Sequence, residues 1–238
     1  MKDLIIGMGD DTDQQRDVTF LRSIERLNIP AEVHLFKHDP LPWHPVVDRW
    51  KLIADYIKAG DYDRVIACDT FDVVFQSNPF DWLEKHLIYD DLVVVGEEKT
   101  FSECEGNKRG MLQSFPNFYY EGLKDFEICN AGIVAGRATQ VSCLCREIYD
   151  LCQQDIRLPN FTPSFQDRLP DQQSLNIILR YPPAFKYIVA NGKDAFAFQY
   201  NHKHSFRDGQ MYNENGQLYA ILHQYLYQWG DEVKNRYA

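Results

Sequence analysis

The sequence predicts an α/β fold in which helices flank a mostly parallel central sheet and a β-rich part follows at the C-terminal end. Two observations indicate this class: strand and helix patterns alternate through the first half of the chain, and several predicted strands are continuous apolar runs. Such strands are buried on both faces, as parallel sheets are. Because no linker or internal repeat interrupts the chain, residues 1–238 are expected to form a single domain.

Apolar spacing and helix-ending residues define the elements of the first half. Helices are predicted where apolar residues recur at helical spacing, with Gly60 ending one helix and Pro79 opening another. The proline-rich stretch 40–45 predicts a stiff connector. In order, the predicted elements are a strand over 4–6, a helix over 14–27, a strand over 33–36, a helix over 46–59, strands over 64–68 and 73–75, a helix over 80–86 and a strand over 92–96.

The second half begins with residues 99–124, which are polar and aromatic without a period and predict a long functional or mobile loop. Apolar runs and an Asn-Gly turn signal define the elements after this segment. The predicted elements are a strand over 127–135, a helix over 139–154, a helix from Asp171, strands over 186–189 and 195–200, and a hairpin around 213–216 leading into a strand over 219–223.

Composition excludes some classes of partner. The formal net charge of -10 argues against nucleic acid, whose binding needs a clustered basic surface. No apolar stretch approaches the roughly 18 residues of a membrane span. The six cysteines show no metal-binding or redox spacing, so we expect buried free thiols and, from the absence of a signal pattern, a cytoplasmic protein.

Asp69 and Asp72 form the most informative polar pair. Both follow the predicted central strand at its carboxyl end, where open α/β sheets bind their ligands. Two neighbouring carboxylates repel each other unless a cation lies between them, and a divalent ion with open positions for phosphate oxygens would remove that cost. The alternative is a turn cap at Asp69 and a solvated Asp72, which is common for isolated pairs of this spacing.

The segments around this pair resemble glycosyltransferases of the GT-A fold, a Rossmann-like architecture, and in particular the glycosyltransferase domain of lysyl hydroxylases. The similarity runs from about residue 46 to 227, and the order of its short segments matches the family. These segments are the run Asp69–Phe80, Val94-Val95-Gly96-Glu97-Glu98, Cys129-Asn130-Ala131-Gly132, Asp171-Gln172 and His223-Gln224-Tyr225.

The resemblance implies a nucleotide-binding half over 1–96 and a sugar- and acceptor-binding half over 97–238. It implies Mn²⁺ or Mg²⁺ held by Asp69, Asp72 and His223 against the diphosphate of a donor, by preference a UDP-sugar. His202 and His204 compete with His223 for the third ligand position, because residues two apart on a strand share a face.

Other residues are expected to hold the nucleotide. Gly7, Met8 and Gly9, continuing to Asp11, follow the first strand, where this family seats base and ribose. Arg49 or Lys51 is expected to reach the phosphates, although a solvated helix face is the ordinary place for both. Thr70 and Phe71 lie between the two aspartates, and Phe71 departs from the small or basic residue of related motifs. A Gly-x-x-Lys phosphate grip is missing after His223, and Lys203 or Arg207 are candidates to replace it.

The sugar and the chemistry are assigned to a further set. Asn130 and Gly132 are expected to meet the sugar, the glycine by leaving clearance; a bulge or close strand crossing is the alternative. Asp171 is expected to orient the sugar or to act as base, or only to cap its helix. Gln172 is expected to bond the departing donor, and Glu97 or Glu98 to contact sugar or acceptor. Glu97 is the second candidate, beside Asp171, for the base that an inverting reaction needs.

Together these residues predict a divalent-metal-dependent hexosyltransferase that moves a sugar to a hydroxyl of a glycan, protein or small molecule, with the resemblance favouring a retaining reaction. One alternative is a non-catalytic sugar-nucleotide or carbohydrate-binding module on the same fold. Another is a phosphohydrolase of the haloacid-dehalogenase type, which has a closer aspartate pair near the chain start. The segments 99–124 and 156–168 would bind the acceptor and carry no readable pattern.

Overall fold

The computed structural model describes residues 2–9, 14–37, 45–87, 92–156, 170–181 and 185–237. The connector over 40–44, Asp10, Asp11 and most of the segment 156–168 lie outside these residues. The strands are β1 Asp3–Gly9, β2 Glu32–Lys37, β3 Arg64–Cys68, β4 Val73–Phe75, β5 Leu92–Thr100, β6 Glu127–Arg137, β7 Tyr187–Ala190, β8 Ala197–Phe198, β9 His204–Arg207, β10 Gln210–Asn213 and β11 Ile221–His223. The helices are α1 Gln14–Arg26, α2 Pro45–Ala59, α3 Pro79–His86, α4 Glu105–Ser114, α5 Asn117–Leu123, α6 Ala138–Ile156, α7 Pro170–Arg180 and α8 Leu226–Tyr237.

The central sheet has six strands in the order β2-β1-β3-β6-β5-β7. β1 pairs in parallel with β2 and β3, β5 pairs in parallel with β7, and β6 runs antiparallel to both of its neighbours. The predicted α/β class with a mostly parallel sheet is therefore confirmed. Because β6 lies between β3 and β5, both halves of the chain contribute to one sheet.

Helices cover both faces of this sheet because apolar residues alternate along buried strands. On one face, Leu4 and Val65 pack in a cluster with residues of α2, α6 and α7. On the other, Ile5 and Ile66 pack with residues of α1 and α3. The burial of alternate residues on opposite faces is what a strand with a two-residue period produces.

Two irregular features shape the edge where strands end. In β6, Val134 pairs with Val94 but Asn130 pairs with the next residue, Val95, so residues 131–133 form a bulge. A second, three-stranded sheet, β4-β11-β8, lies beyond the end of β3, and in it His223 pairs with Val73. Bulges of this kind redirect side chains next to ligand sites.

The prediction of a long loop over 99–124 is wrong. Helices α4 and α5 occupy most of it, and they bury Met111, Phe115 and Leu123 against Ile177 of α7. Both helices are short and contribute few buried residues each, so no sustained period marks them in the sequence. Their aromatic residues belong to a small hydrophobic cluster.

The predicted C-terminal elements also differ in part. The strand predicted over 195–200 is shorter, because Ala195 has φ +54, a left-handed conformation in which a strand does not begin, and residues 200–201 form a turn. The predicted turn over 213–216 is confirmed, because Tyr212 pairs antiparallel with Leu218 and the backbone N–H of Asn213 donates to the carbonyl of Gln217 (2.8 Å). The sequence did not predict the additional hairpin between β9 and β10, and β11 takes β4 and β8 as partners. Helix α8 was not predicted; it packs Val233, Leu226 and Trp229 against this part.

The six cysteines are free thiols, as the sequence predicts. Cys68, Cys129, Cys145 and Cys152 are buried, but Cys104 is only partly buried and Cys143 is exposed, so the expected burial is wrong for these two. Among the helices that the structure describes, none combines the length and the apolar composition of a membrane span.

Candidate functional site

Asp69, Asp72 and His223 meet at the carboxyl end of β3. Asp69 is the first residue after this strand, and its backbone N–H donates to the carbonyl of Gly132 (2.8 Å). Asp72 precedes β4, whose pairing with β11 brings in His223 from a distant part of the chain. His223 Nε2 lies 3.5 Å from Asp69 Oδ2 and 3.5 Å from Asp72 Oδ1. One ligand atom from each residue can be chosen so that all lie within 4.8 Å of one another.

Burial and neighbouring charges shift the pKa of each side chain in this cluster. Burial works to raise the pKa of Asp69, but Arg49 and His223 outweigh it and lower that pKa to about 2. Burial raises the pKa of Asp72. Burial alone would lower the pKa of His223, but the carboxylates of Asp72 and Asp69 outweigh it and raise the pKa. The carboxylates thus give the cluster its affinity for positive charge.

The donor set fits a hard or borderline divalent cation. Two carboxylates and one imidazole suit Mn²⁺ and Mg²⁺, and three protein ligands leave coordination positions for substrate oxygens. Asp69, Asp72 and His223 converge closely enough to share one ion. Within the part of the chain that the structure describes, no other group of three or more His, Cys, Asp or Glu side chains does so.

Gly132 lies directly beneath the cluster. A Cβ at this position would come 2.3 Å from His223 Cε1, 2.5 Å from His223 Nε2 and 2.8 Å from Asp69 Oδ2. Real Cβ contacts are not that short, so only glycine lets the bulge of β6 pass under these side chains. The space beside Gly132, which was expected to accommodate the sugar, is instead filled by the side chains of His223 and Asp69.

Arg49 connects the cluster to α7. Its guanidinium bonds to Asp69 Oδ1 and, from Nη2, to Asp171 Oδ2 (2.8 Å). Asp171 Oδ2 also accepts from Trp50 Nε1 (3.3 Å), and Asp171 Oδ1 accepts from the backbone N–H of Gln172 (2.8 Å). Arg49 is therefore held between two carboxylates. Lys51 instead pairs with Asp55 on the exposed part of α2.

The residues expected at the nucleotide lie beside the end of β3. Gly7 is packed so closely that a Cβ would come 2.5 Å from Cys68 O and 2.7 Å from Thr70 Cγ2. Thr70 Oγ1 donates to the carbonyl of Met8 (2.7 Å), which ties β1 to the turn that carries the aspartates. Gly9 ends β1. Phe71 lies on that turn with its side chain partly exposed.

Amides surround Glu97 on the other side of the bulge. Glu97 Oε1 accepts from Asn130 Nδ2 (2.9 Å) and from Gln172 Nε2 (3.1 Å). Asn130 Oδ1 accepts from the backbone N–H of Gly132 (2.7 Å), and Gln172 Nε2 also donates to Asn107 Oδ1 (2.8 Å). Burial raises the pKa of Glu97. This network joins β5, β6, α4 and α7.

The competing histidines have other partners. His202 is buried, and its ring bonds to the backbone N–H of Gln199 (3.2 Å) and to the carbonyl of Gly96 (2.7 Å). The His204 ring bonds to the carbonyl of His202 and to Trp229 Nε1. Both ring nitrogens of each histidine are thus used within the chain.

The two candidate phosphate cations lie near the β9–β10 hairpin. Lys203 is exposed and 3.9 Å from Glu214, and the guanidinium of Arg207 lies over the ring of Tyr212 (4.2 Å). Glu98 has φ +52 and accepts from the backbone N–H of Gly192 (3.1 Å).

The sequence analysis predicts no role for three residues of the site, Gln199, Asn107 and Trp50. Gln199 bonds to the ring of His223, Asn107 enters the site from the segment predicted as a loop, and Trp50 supports Asp171. A lone glutamine next to Phe198 in an apolar run was the available signal for Gln199. Nothing local marks the other two.

No protein-family model and no curated protein matches the chain. Among solved structures, the chain is similar to the apo form of the glycosyltransferase GlyE of Streptococcus pneumoniae TIGR4, with 15% identity and a TM-score of 0.49. The similarity covers 84% of this chain and 47% of that chain, so this chain spans less than half of that protein's length. A proposal for the function therefore rests on the residues of the site.

Proposed function

We propose that this chain is a divalent-metal-dependent glycosyltransferase that takes its sugar from a nucleotide diphosphate sugar, by preference a UDP-sugar. The observation that carries the proposal is the convergence of Asp69, Asp72 and His223 at the carboxyl end of the central strand. The ordered resemblance of the surrounding segments to GT-A enzymes supports it. The acceptor is a hydroxyl of a glycan, protein or small molecule.

Asp69, Asp72 and His223 would hold Mn²⁺ or Mg²⁺, which when bound supplies Lewis-acid neutralisation of the leaving diphosphate. Arg49 keeps Asp69 in place by binding its other oxygen and by anchoring on Asp171. We assign Arg49 a positioning role, because its charge is already shared between two carboxylates.

The nucleotide is proposed to lie over Gly7, Met8 and Gly9, beside the turn that carries Thr70 and Phe71. This places it next to the aspartates, since Thr70 Oγ1 is bonded to Met8. Phe71 offers a partly exposed ring for contact with the base or the sugar. Lys51 is proposed to contribute charge only from the rim, because it pairs with Asp55.

The amide network is proposed to bind the sugar. Both oxygens of Asp171 are bonded within the chain, so it orients Arg49 and the start of α7. Glu97 accepts two hydrogen bonds at Oε1, which leaves Oε2 for a hydroxyl of sugar or acceptor. We therefore assign contact with the reacting groups to Glu97, with Asn130 and Gln172 holding it; the resemblance favours retention.

The proposal is tested by incubating the protein with a panel of nucleotide sugars and Mn²⁺ and measuring released nucleotide with and without chelator. Asp72→Ala is expected to abolish metal-dependent release, whereas Asp150→Ala, which removes an exposed carboxylate on α6, is expected to leave it unchanged. Circular dichroism and thermal melting of both variants verify that the fold is kept.

Other outcomes have distinct meanings. Donor binding without hydrolysis or transfer to any acceptor would indicate a sugar-nucleotide-binding module. Hydrolysis of a simple phosphate ester without nucleotide dependence would indicate a phosphohydrolase. Full activity of Asp72→Ala would refute the metal assignment.

A further inference from the structure

The ring of His223 has a partner on the side away from the carboxylates. Its Nδ1 lies 2.8 Å from Gln199 Nε2 and 3.1 Å from Gln199 Oε1. Both residues are buried, with 1% of Gln199 and 2% of His223 exposed. The contact follows from the pairing of β8 with β11: Phe198 is opposite Leu222, so the next residues along both strands are Gln199 and His223.

Gln199 is itself held rigidly by a turn. Its backbone N–H donates to His202 Nδ1 (3.2 Å), and its carbonyl accepts from the backbone N–H of His202 (2.8 Å). His202 Nε2 lies 2.7 Å from the carbonyl of Gly96 in β5. A carbonyl only accepts, so His202 carries its proton on Nε2 and accepts at Nδ1. The turn is thereby anchored to the central sheet.

The carboxamide of Gln199 suits both tautomers of His223. An imidazole binds a cation through a nitrogen without a proton, and here Nε2 faces Asp69 and Asp72. The proton must then be on Nδ1, where Gln199 Oε1 can accept it. When Nε2 carries the proton instead, Nδ1 can accept from Gln199 Nε2. An aliphatic side chain offers neither interaction, and a carboxylate offers only the first.

We propose that Gln199 is a positioning residue that holds His223 with its proton on Nδ1 and presents the Nε2 lone pair to a divalent cation. This inference rests on the proposed metal centre at Asp69, Asp72 and His223. Partners of this kind behind a histidine ligand typically contribute about 10–100-fold in metal affinity.

The test compares Mn²⁺ affinity, by calorimetric titration, in the unaltered protein, Gln199→Leu and Gln199→Glu. Gln199→Leu is expected to bind about 10–100-fold more weakly. Gln199→Glu is expected to bind about as tightly as the unaltered protein, because its carboxylate accepts the Nδ1 proton. Gln76→Leu is the matched control: Gln76 is also buried, but its amide bonds to the backbone of Met211 and Tyr219. Its affinity is expected to stay unchanged even where stability falls.

Nitrogen NMR of labelled histidine, with the diamagnetic Mg²⁺, compares the hydrogen bond at His223 Nδ1 in the unaltered protein, Gln199→Leu and Gln76→Leu. In the Mg²⁺-loaded unaltered protein His223 is expected to carry its proton on Nδ1, with a nitrogen shift that changes in Gln199→Leu, where that proton loses its acceptor, and stays the same in Gln76→Leu. If the unaltered protein binds neither ion, the proposed function fails. If it binds and Gln199→Leu binds equally well, or Gln199→Glu binds as weakly as Gln199→Leu, the role of Gln199 is refuted while the metal centre stands.

Discussion

Replacing Gly132 by alanine is the change that the structure constrains most tightly. The new Cβ would lie 2.3 Å from His223 Cε1 and 2.8 Å from Asp69 Oδ2. The ring must therefore move by roughly 1 Å to reach the ~3.5 Å of an ordinary carbon contact. His223 cannot retreat freely, because Gln199 bonds to its far side. The backbone of Gly132 is also fixed, by hydrogen bonds to Asp69 and Asn130.

We expect two effects from this overlap. Overpacking of a buried site costs about 1–3 kcal/mol, which urea denaturation measures as a lower midpoint. The displaced ligands should bind Mn²⁺ at least about tenfold more weakly, since a few tenths of an ångström already disturb a metal site. Calorimetric titration of the folded variant measures the second effect separately from the first.

Gly106→Ala is the matched control. Gly106 lies in α4, and a Cβ there would have nothing within 4 Å. Alanine in a helix is favoured over glycine by up to about 1 kcal/mol, so this variant should be as stable as the unaltered protein or more so, with unchanged Mn²⁺ affinity. A Gly132→Ala protein with unchanged stability and Mn²⁺ affinity would refute the packing that we derive for the site.

Three further predictions concern other parts of the molecule. Arg64→Met leaves Asp3, its buried bidentate partner, without a counter-charge and should cost about 3–5 kcal/mol in urea denaturation; a loss below ~1 kcal/mol would contradict this. Burial lowers the pKa of His202, although the charges of Glu98 and Asp194 act to raise it, so below about pH 6.5 the unfolded chain binds this proton more than the folded chain does. The free energy of unfolding should therefore decrease as the pH is lowered through this range, and His202→Gln should reduce that dependence on pH. Asn107→Ala removes the oxygen that accepts from Gln172 and should lower nucleotide release several-fold, about 1 kcal/mol, with unchanged Mn²⁺ affinity; full release would remove Asn107 from the site.

The central strands and the aspartate pair could be predicted because their signals are local. The apolar run ending at Cys68 marks a buried strand, and its end places Asp69 where ligands bind in such sheets. His223 followed from the order of motifs, and the pairing of β4 with β11 explains why it lies beside Asp72.

The remaining contacts depend on tertiary packing that no local pattern encodes. Gln199 meets His223 only because β8 adds to β11, and the two-residue strand β8 is shorter than the predicted one. Arg49 is a lone cation on a helix in the sequence, and its pairing with Asp69 and Asp171 requires three elements to meet. Asn107 lies in α4, which is too short for its apolar residues to show a helical period in the sequence.

The central claim is that Asp69, Asp72 and His223 hold a divalent ion against the diphosphate of the donor. Calorimetric titration of UDP into the protein, with Mn²⁺ and then with excess chelator, tests it most directly. We predict binding with Mn²⁺ and at least about tenfold weaker binding with chelator, with no such difference in Asp72→Ala. Equal affinity with and without the ion in the unaltered protein would contradict this claim.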